Sequence, residues 1–274
     1  MASKTAALDL ETVVGALLQG FQQTEPGTWR TSAEITTERR TNADLRNRWF
    51  WAANFAMYKV EKRGAVLYFG GRESNIIFNN IEEATSQLIK TGNYVPEKEG
   101  IDAVVASVES GSTLRVKLSE LKLKRLNDEF SYFDIDTSRY GKLNAAQRSL
   151  AERVYGSGKD FEENMGMLAK ATIGKTRIYV LKPAYVKSKV VGDGAVARAC
   201  WLGKFTDNSI FDADGRGADN TSYALRAVRR KVVAEGGAPK PLQGKPDDFK
   251  SVYDTLVGKI RASLLAVLRK CVLK

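Results

Sequence analysis

The chain has 274 residues and a net charge of +11 at neutral pH, and it contains no histidine. The missing histidine excludes a Ser–His–Asp triad, a Cys–His pair and every histidine-ligated metal site. Hydrophobic residues make up 43% of the chain, which is enough for a packed core. Cys200 and Cys271 lie far apart in apolar stretches. We therefore expect no disulfide and a cytoplasmic or other reducing intracellular location.

The positive charge is confined to one part of the chain. Residues 1–100 contain 12 Lys and Arg against 12 Asp and Glu, whereas residues 101–274 contain 31 against 20, which is the whole excess of +11. A basic excess placed in this way predicts a polyanionic partner, and a generally basic solvated surface is the alternative. No apolar run reaches the roughly 20 residues that a membrane helix needs, so we expect no membrane contact.

The first 40 residues are predicted to form an N-terminal helix and an arm. Apolar residues recur at helical spacing between about Ala6 and Phe21, which indicates one amphipathic helix. Residues 28–40 are polar and are interpreted as a loop or an extended arm.

Residues 41–234 are predicted to form a mixed α+β core. A helix is expected from Thr41, because Trp49, Ala53 and Met57 follow one another at helical spacing. A short buried strand over Ala65 to Phe69 is expected next, since two glycines close it.

Residues 113–136 alternate between apolar and polar side chains. Thr113 to Leu118 does so with period two, the alternation resumes at Leu121, and Phe130 to Ile135 follows as a further strand. We predict an antiparallel sheet with one wet face, because this is the natural form of such a meander. We expect this sheet to have a basic face and to pack against several helices.

The later core alternates between helices and strands. Helices are predicted from Asn144 and from Asp160, each with a polar residue three positions on that suits a capping box. Residues 175–191 are interpreted as strand interrupted at Pro183, and Ser222 to Ala234 as a helix.

The last 40 residues divide into a linker and a helix. Residues 235–246 hold three of the six prolines of the chain and are predicted to be a Pro/Gly linker. Residues 247–274 show apolar side chains at heptad-like spacing, which predicts a long amphipathic helix. We expect this helix to pack either on its own core or on a neighbouring copy of the chain, in a homo-oligomer. The fold class is thus an α+β protein with an antiparallel sheet, several helices and this C-terminal helix.

The best functional signal is a set of basic and tyrosine side chains rather than a motif. No acidic residue occurs between Glu163 and Asp193, and tyrosines are interleaved with the cations there. Cations neutralise phosphates and aromatic rings stack on exposed bases, so we expect binding of single-stranded RNA or DNA without a cofactor. The predicted binding residues are Arg115, Lys117, Lys122, Lys124, Lys175, Arg177, Tyr179, Lys182, Tyr185, Lys187, Lys189, Arg226, Arg229 and Arg230.

Two other functions remain open from the sequence. A structural assembly protein, such as a viral nucleocapsid or coat subunit, would also need a basic surface and a tethered C-terminal helix. A metal-dependent nuclease would need clustered carboxylates to hold Mg²⁺, although we expect no enzyme and no metal site here. The candidate metal ligands are Asp134, Asp136, Asp212, Asp214 and Asp219.

Overall fold

The computed structural model describes residues 10–25, 27–171, 174–207, 210–213 and 218–229. The strands are β1 (Leu10–Val14), β2 (Phe50–Glu61), β3 (Gly64–Gly70), β4 (Thr113–Lys117), β5 (Lys124–Arg125), β6 (Phe130–Asp136), β7 (Lys175–Leu181), β8 (Ala195–Leu202), β9 (Phe211–Asp212) and β10 (Ala224–Val228). The α-helices are α1 (Leu17–Gln22), α2 (Ser32–Thr41), α3 (Ile76–Asn79), α4 (Ile81–Thr91), α5 (Lys98–Ala106), α6 (Ala145–Tyr155), α7 (Gly158–Ala171) and α8 (Pro183–Lys189). Five 3₁₀ turns cover Ala43–Asn47, Arg72–Ser74, Leu118–Leu121, Tyr140–Lys142 and Phe205–Asp207.

All ten strands belong to one sheet, in the order β1-β10-β2-β8-β9-β7-β6-β5, with β3 and β4 attached beside β2. The long strand β2 is its centre and pairs with β3 and β8 in antiparallel fashion and with β10 in parallel. The α+β prediction is therefore confirmed, but the sheet is mixed rather than purely antiparallel, because β7 also pairs with β9 in parallel.

The two ends of the described chain meet in this sheet. Strand β1 runs antiparallel to β10, with Leu10 opposite Val228 and Val14 opposite Ala224. The predicted helix over residues 6–21 is thus wrong at β1, and only its last turns are helical, as α1. The predicted helix over residues 222–234 is also wrong, since β10 occupies its first part; residues 230–234, like the predicted linker and C-terminal helix, lie outside the described residues.

Hydrophobic cores lie on both faces of the sheet. One core combines Phe50, Ala56 and Tyr58 of β2 with α2, α6, α7 and α8, and the other combines Trp51 and Met57 of the same strand with α1, α3, α4 and α5. A strand that is buried on both faces has an apolar run with no period-two alternation. This is why the sequence pattern predicted a helix from Thr41, where the structure has a 3₁₀ turn and then β2.

Helix α2 replaces the predicted arm over residues 28–40. Its N-cap is Thr31, whose hydroxyl accepts a hydrogen bond from the Glu34 backbone N–H, while the Glu34 side chain accepts one from the Thr31 N–H. This reciprocal pair is a capping box, which satisfies two backbone donors at the start of a helix. The Thr31-x-x-Glu34 spacing is visible in the sequence and was the signal that the polar composition of the segment concealed.

Two of the predictions that rested on local signals are confirmed, whereas the helix predicted from Asp160 begins two residues earlier, as α7 from Gly158. Strand β3 covers the expected residues, and α6 begins with the expected capping box between Asn144 and Gln147. Residues 183–189, however, form α8 rather than a continuation of β7. Pro183 occupies the first turn of α8, a position where proline is favoured because its missing N–H would be unpaired anyway.

Gly70 ends β3 at a place where no side chain fits. A Cβ atom built there would lie 2.2 Å from Cε1 of Phe55 and 2.6 Å from the Ser74 hydroxyl oxygen. Phe55 is fully buried and has no room to move. We therefore expect Gly70→Ala to lower the free energy of unfolding by about 1–3 kcal/mol, as overpacked cores do. Urea unfolding followed by circular dichroism measures this, with Gly141→Ala, where the space is open, as the control.

Candidate nucleic-acid interface

Five side chains form a solvent-facing cluster on neighbouring strands β5, β6 and β7, which we call the platform: Lys124, Tyr132, Asp134, Arg177 and Tyr179. Side chains alternate along β6 and β7, so that every second residue is buried in the core and those between are partly exposed. The strand register places Tyr132 opposite Tyr179 and Asp134 opposite Arg177, and Lys124 of β5 opposite Tyr132. The platform is therefore a consequence of strand alternation and antiparallel pairing.

The planar groups of the platform lie side by side. The guanidinium carbon of Arg177 is 3.9 Å from the centre of the Tyr132 ring and 5.7 Å from that of Tyr179. The two ring centres are 5.8 Å apart. Nη1 of Arg177 also donates a hydrogen bond of 3.2 Å to the Tyr179 hydroxyl. These contacts hold the three groups in one arrangement before any ligand arrives.

Asp134 positions both cations of the platform. Its two carboxylate oxygens accept hydrogen bonds of 2.8 Å from Nε of Arg177 and from Nζ of Lys124. Burial by itself would raise the pKa of the Asp134 carboxyl, but the hydrogen bonds from Lys124 and Arg177 outweigh it and the pKa is lowered. Asp134 thus stays ionised at neutral pH, and the two cations with this one anion carry a net charge of +1.

Lys175 extends the platform along β7. It is exposed and lies opposite Asp136 in the strand register. The Ser138 hydroxyl donates to the carboxylate of Asp136 and lowers its pKa. Lys124, Lys175, Arg177 and Tyr179 are the predicted binding residues that the structure brings to one surface.

The predicted cations of β4 and the turn after it lie on a different surface. Strand β4 pairs with β3, and a 3₁₀ turn separates it from β5. Arg115 pairs with Glu61, and Lys117 pairs with Glu120 at 3.0 Å. Lys122 is exposed in the left-handed conformation that ends this turn. Arg115 and Lys117 line a groove of about 740 Å³ beside the β2–β3 hairpin, which we call the hairpin groove.

The prediction of strand after Pro183 is wrong, because Tyr185, Lys187 and Lys189 belong to α8. Residues four apart share a helix face, and Nζ of Lys189 accordingly lies 5.4 Å from the centre of the Tyr185 ring. The Tyr185 hydroxyl accepts a hydrogen bond of 3.1 Å from Asn93 and so has a structural partner. Lys182 precedes the helix and lies 3.7 Å from Asp128.

Of the three predicted arginines near the end of the core, Arg226 and Arg229 do not lie on a helix. Arg226 lies on β10 and its Nε donates to Glu38 at 2.8 Å. Arg229 pairs with Glu11 at 3.4 Å, and Arg230 lies outside the described residues. The carboxylates opposite these arginines come from the other end of the chain, which explains why the local sequence suggested free cations.

Several residues of both surfaces were missed by the sequence analysis. Tyr132 was passed over, although its place in the alternation of residues 130–136 predicts the solvent face of β6. Lys59 lines the hairpin groove together with Lys62, Arg63 and the predicted residues of β4. The sequence places Lys62 and Arg63 on a predicted aromatic-basic helix, a second candidate surface whose spacing is more typical of core, whereas Lys59 was missed because its segment is strand β2 and not that helix.

The candidate metal ligands are dispersed. Asp134 is engaged by Arg177 and Lys124, and Asp136 by Ser138. Among the residues that the structure describes, no group of three or more His, Cys, Asp or Glu side chains is placed to hold a metal ion. Asp214 falls outside that part of the chain. Within the same part, no helix has the length and apolar character to cross a membrane.

Comparison with known proteins gives a fold relationship. No family model and no curated protein matches the chain. One solved structure, "Accommodation of massive sequence variation in Nanoarchaeota by the C-type lectin fold", is similar with a TM-score of 0.55 and 10% sequence identity, over 83% of this chain and 100% of that one. The chain is similar to the C-type lectin fold. At such low identity the likeness concerns the fold alone, and ligand and activity have to be argued from the surface.

Proposed function

We propose that the protein binds single-stranded nucleic acid on the platform and acts by binding rather than by catalysis. The observation that carries this proposal is the row formed by Tyr132, Arg177 and Tyr179, with the guanidinium 3.9 Å from one ring and hydrogen-bonded to the other tyrosine. Unpaired bases stack on aromatic rings and on guanidinium planes, and every base has such a face. The row therefore suits a flexible strand whose bases are turned outward.

The charges around this row support a phosphate backbone as the ligand. Lys124 and Lys175 are exposed at the sides of the row, and Arg177 keeps part of its guanidinium open, with 33% of its side chain exposed. Lysine and arginine contacts to phosphates release counterions and supply most of the affinity of non-specific binding. Asp134 does not oppose this, since its charge is already compensated by two cations.

The fold itself does not indicate which ligand the protein binds. In the similar structure, the C-type lectin fold accommodates massive sequence variation. A fold that carries varied surfaces does not fix what is bound, so the side chains of this chain decide. They favour a single strand over a duplex, because aromatic rings stack on unpaired bases, whereas the bases of a duplex are already stacked on one another.

Fluorescence anisotropy with labelled single-stranded RNA, single-stranded DNA and duplex DNA tests the proposal at two salt concentrations. We expect both single strands to bind more tightly than the duplex and the affinity to fall steeply as salt is added. Equal binding of all three probes would leave only a general attraction to polyanions. No binding at low salt would refute the proposal.

The double variant Arg177→Ala/Tyr179→Ala removes the centre of the row. We expect it to weaken binding of the single-stranded probe by about tenfold or more, since stacking contributes about 1–3 kcal/mol per base. Arg48→Ala is the matched control, because Arg48 is exposed and its substitution removes one positive charge away from the platform. We expect a change of less than about twofold for the control, as one distant charge is largely screened. Similar losses in both variants would show that the row is not the binding surface.

Further measurements test the two other functions that the sequence leaves open, a structural assembly protein and a metal-dependent nuclease. The linker over 235–246 and the helix over 247–274, on which the assembly hypothesis and a homo-oligomer depend, lie outside the described residues. Filaments or shells in light scattering and electron microscopy would support assembly. Cleavage of the same probes that requires Mg²⁺ would support a nuclease.

A further inference from the structure

The hairpin groove concentrates positive charge at a second place on the molecule. It is bounded by the β2–β3 hairpin, by β4 and by α5, and its volume is about 740 Å³. Val66 and Tyr68 of β3 line it as well, and both are buried. Its cationic lining residues are Lys59, Lys62, Arg63, Arg115 and Lys117.

Two of the three acidic residues that line the groove, Glu61 and Asp102, are engaged by cations, and the third, Asp193, is exposed. Glu61 accepts hydrogen bonds from Arg115 and, at 2.6 Å, from the Tyr68 hydroxyl. The Arg115 hydrogen bonds above all lower the pKa of this carboxyl, so it stays ionised and occupied. Asp102 is paired with Lys98 on the adjacent turn of α5. Both of these carboxylates are thus compensated, and the five cations that line the groove outnumber its three carboxylates.

The two cations at the hairpin turn are available to a ligand. Lys62 and Arg63 are exposed and form no ion pair with any of the residues that the structure describes. Lys59 on the neighbouring strand end is fixed by a hydrogen bond of 3.0 Å from its Nζ to the Asp193 carbonyl. Nζ carries two further hydrogens that this bond does not use. The groove thus combines the ammonium group of Lys59, whose position is fixed by a hydrogen bond, with the exposed side chains of Lys62 and Arg63 at the hairpin turn.

We propose that the hairpin groove binds a phosphate group, either on a small phosphorylated molecule or at the 5′ end of a nucleic-acid strand. A tetrahedral oxyanion with several acceptor oxygens matches the ammonium and guanidinium donors that line the groove from β2, the hairpin turn and β4. The site shares no residue with the platform, and it goes beyond the proposed function.

Isothermal titration calorimetry of the full chain tests this with three probes: pyrophosphate, a single-stranded oligonucleotide with a 5′ phosphate, and the same oligonucleotide with a 5′ hydroxyl. The test variant is Lys62→Ala/Arg63→Ala. Lys142→Ala/Lys170→Ala is the matched control, because it removes two exposed positive charges elsewhere. If the test variant fails to fold, Lys117→Gln, on the same groove, replaces it.

We expect pyrophosphate to bind the natural protein and the control, and to bind the test variant about tenfold or more weakly, since charge-assisted hydrogen bonds are lost. A preference for the 5′-phosphorylated oligonucleotide that the test variant abolishes identifies the strand end as the source. Pyrophosphate binding without such a preference identifies a small molecule. No pyrophosphate binding, or equal loss in both variants, overturns the inference. Arg177→Ala/Tyr179→Ala should leave pyrophosphate binding unchanged. The experiment therefore tests phosphate binding in the hairpin groove independently of nucleic-acid binding on the platform.

Discussion

Arg198→Ala should lower the free energy of unfolding by about 3–5 kcal/mol, because it leaves a buried carboxylate without its cationic partner. The Arg198 side chain is completely buried, on the central strand β8. Its Nε and Nη2 donate to the Asn93 side-chain oxygen at 3.1 and 2.9 Å, and Nη2 also donates to Glu129. The side chain of Glu129 is only 12% exposed, so water cannot replace the lost partner well.

A double-mutant cycle separates the ion pair from the packing. Glu129→Gln alone should cost less than Arg198→Met, and the Arg198→Met/Glu129→Gln double variant should recover part of the Arg198→Met loss, since it removes both charges and keeps the volume. Urea unfolding at neutral pH gives all three values. A loss below about 1 kcal/mol for Arg198→Ala, the level of an exposed pair, would show that the buried pair contributes little.

Trp29→Ala should have an effect of similar size, about 3–5 kcal/mol, through the loss of a large buried side chain. Trp29 is 2% exposed and lies against the rings of Phe21 and Phe78, at 5.7 and 4.6 Å between ring centres. Its indole N–H donates to the buried Thr24 hydroxyl at 2.6 Å. One side chain thus joins α1, α3 and the segment between α1 and α2.

Two further variants check this explanation. Trp29→Phe keeps an aromatic ring but loses the hydrogen bond, so its cost should lie well below that of Trp29→Ala. Val95→Ala, at a side chain that is 57% exposed, should stay within about 0.5 kcal/mol of the natural protein. If Trp29→Ala were as mild as Val95→Ala in urea unfolding, the aromatic contacts would not stabilise the fold.

The elements that could be predicted from the sequence are those with local signals. A capping box is written within a few residues, and the start of α6 was predicted correctly for that reason. Strand β2 was not, because burial on both faces depends on helices that are distant in the chain. The segment of β10 was predicted to be a helix for a related reason, because its partners β1 and β2 lie more than 160 residues earlier in the chain.

The same distinction governs the candidate surfaces. Strand alternation puts Arg177 and Tyr179 on one face, and this was predictable. The carboxylate that pairs with Arg226 is Glu38, 188 residues away, and no local pattern announces it. Cations that look free in the sequence are therefore partly used for the fold, and only the strand register tells which remain for a ligand.

The pairing of β1 with β10 also sets when folding can finish. Residues 10–14 must wait for residues 224–228 before their backbone groups find strand partners. During synthesis, nearly the whole described chain has left the ribosome before this edge of the sheet can close. Because contacts of such large sequence separation form late and slowly, the first strand remains an unpaired edge for most of that time. Early termination anywhere before β10 would leave that edge open to pair with another chain.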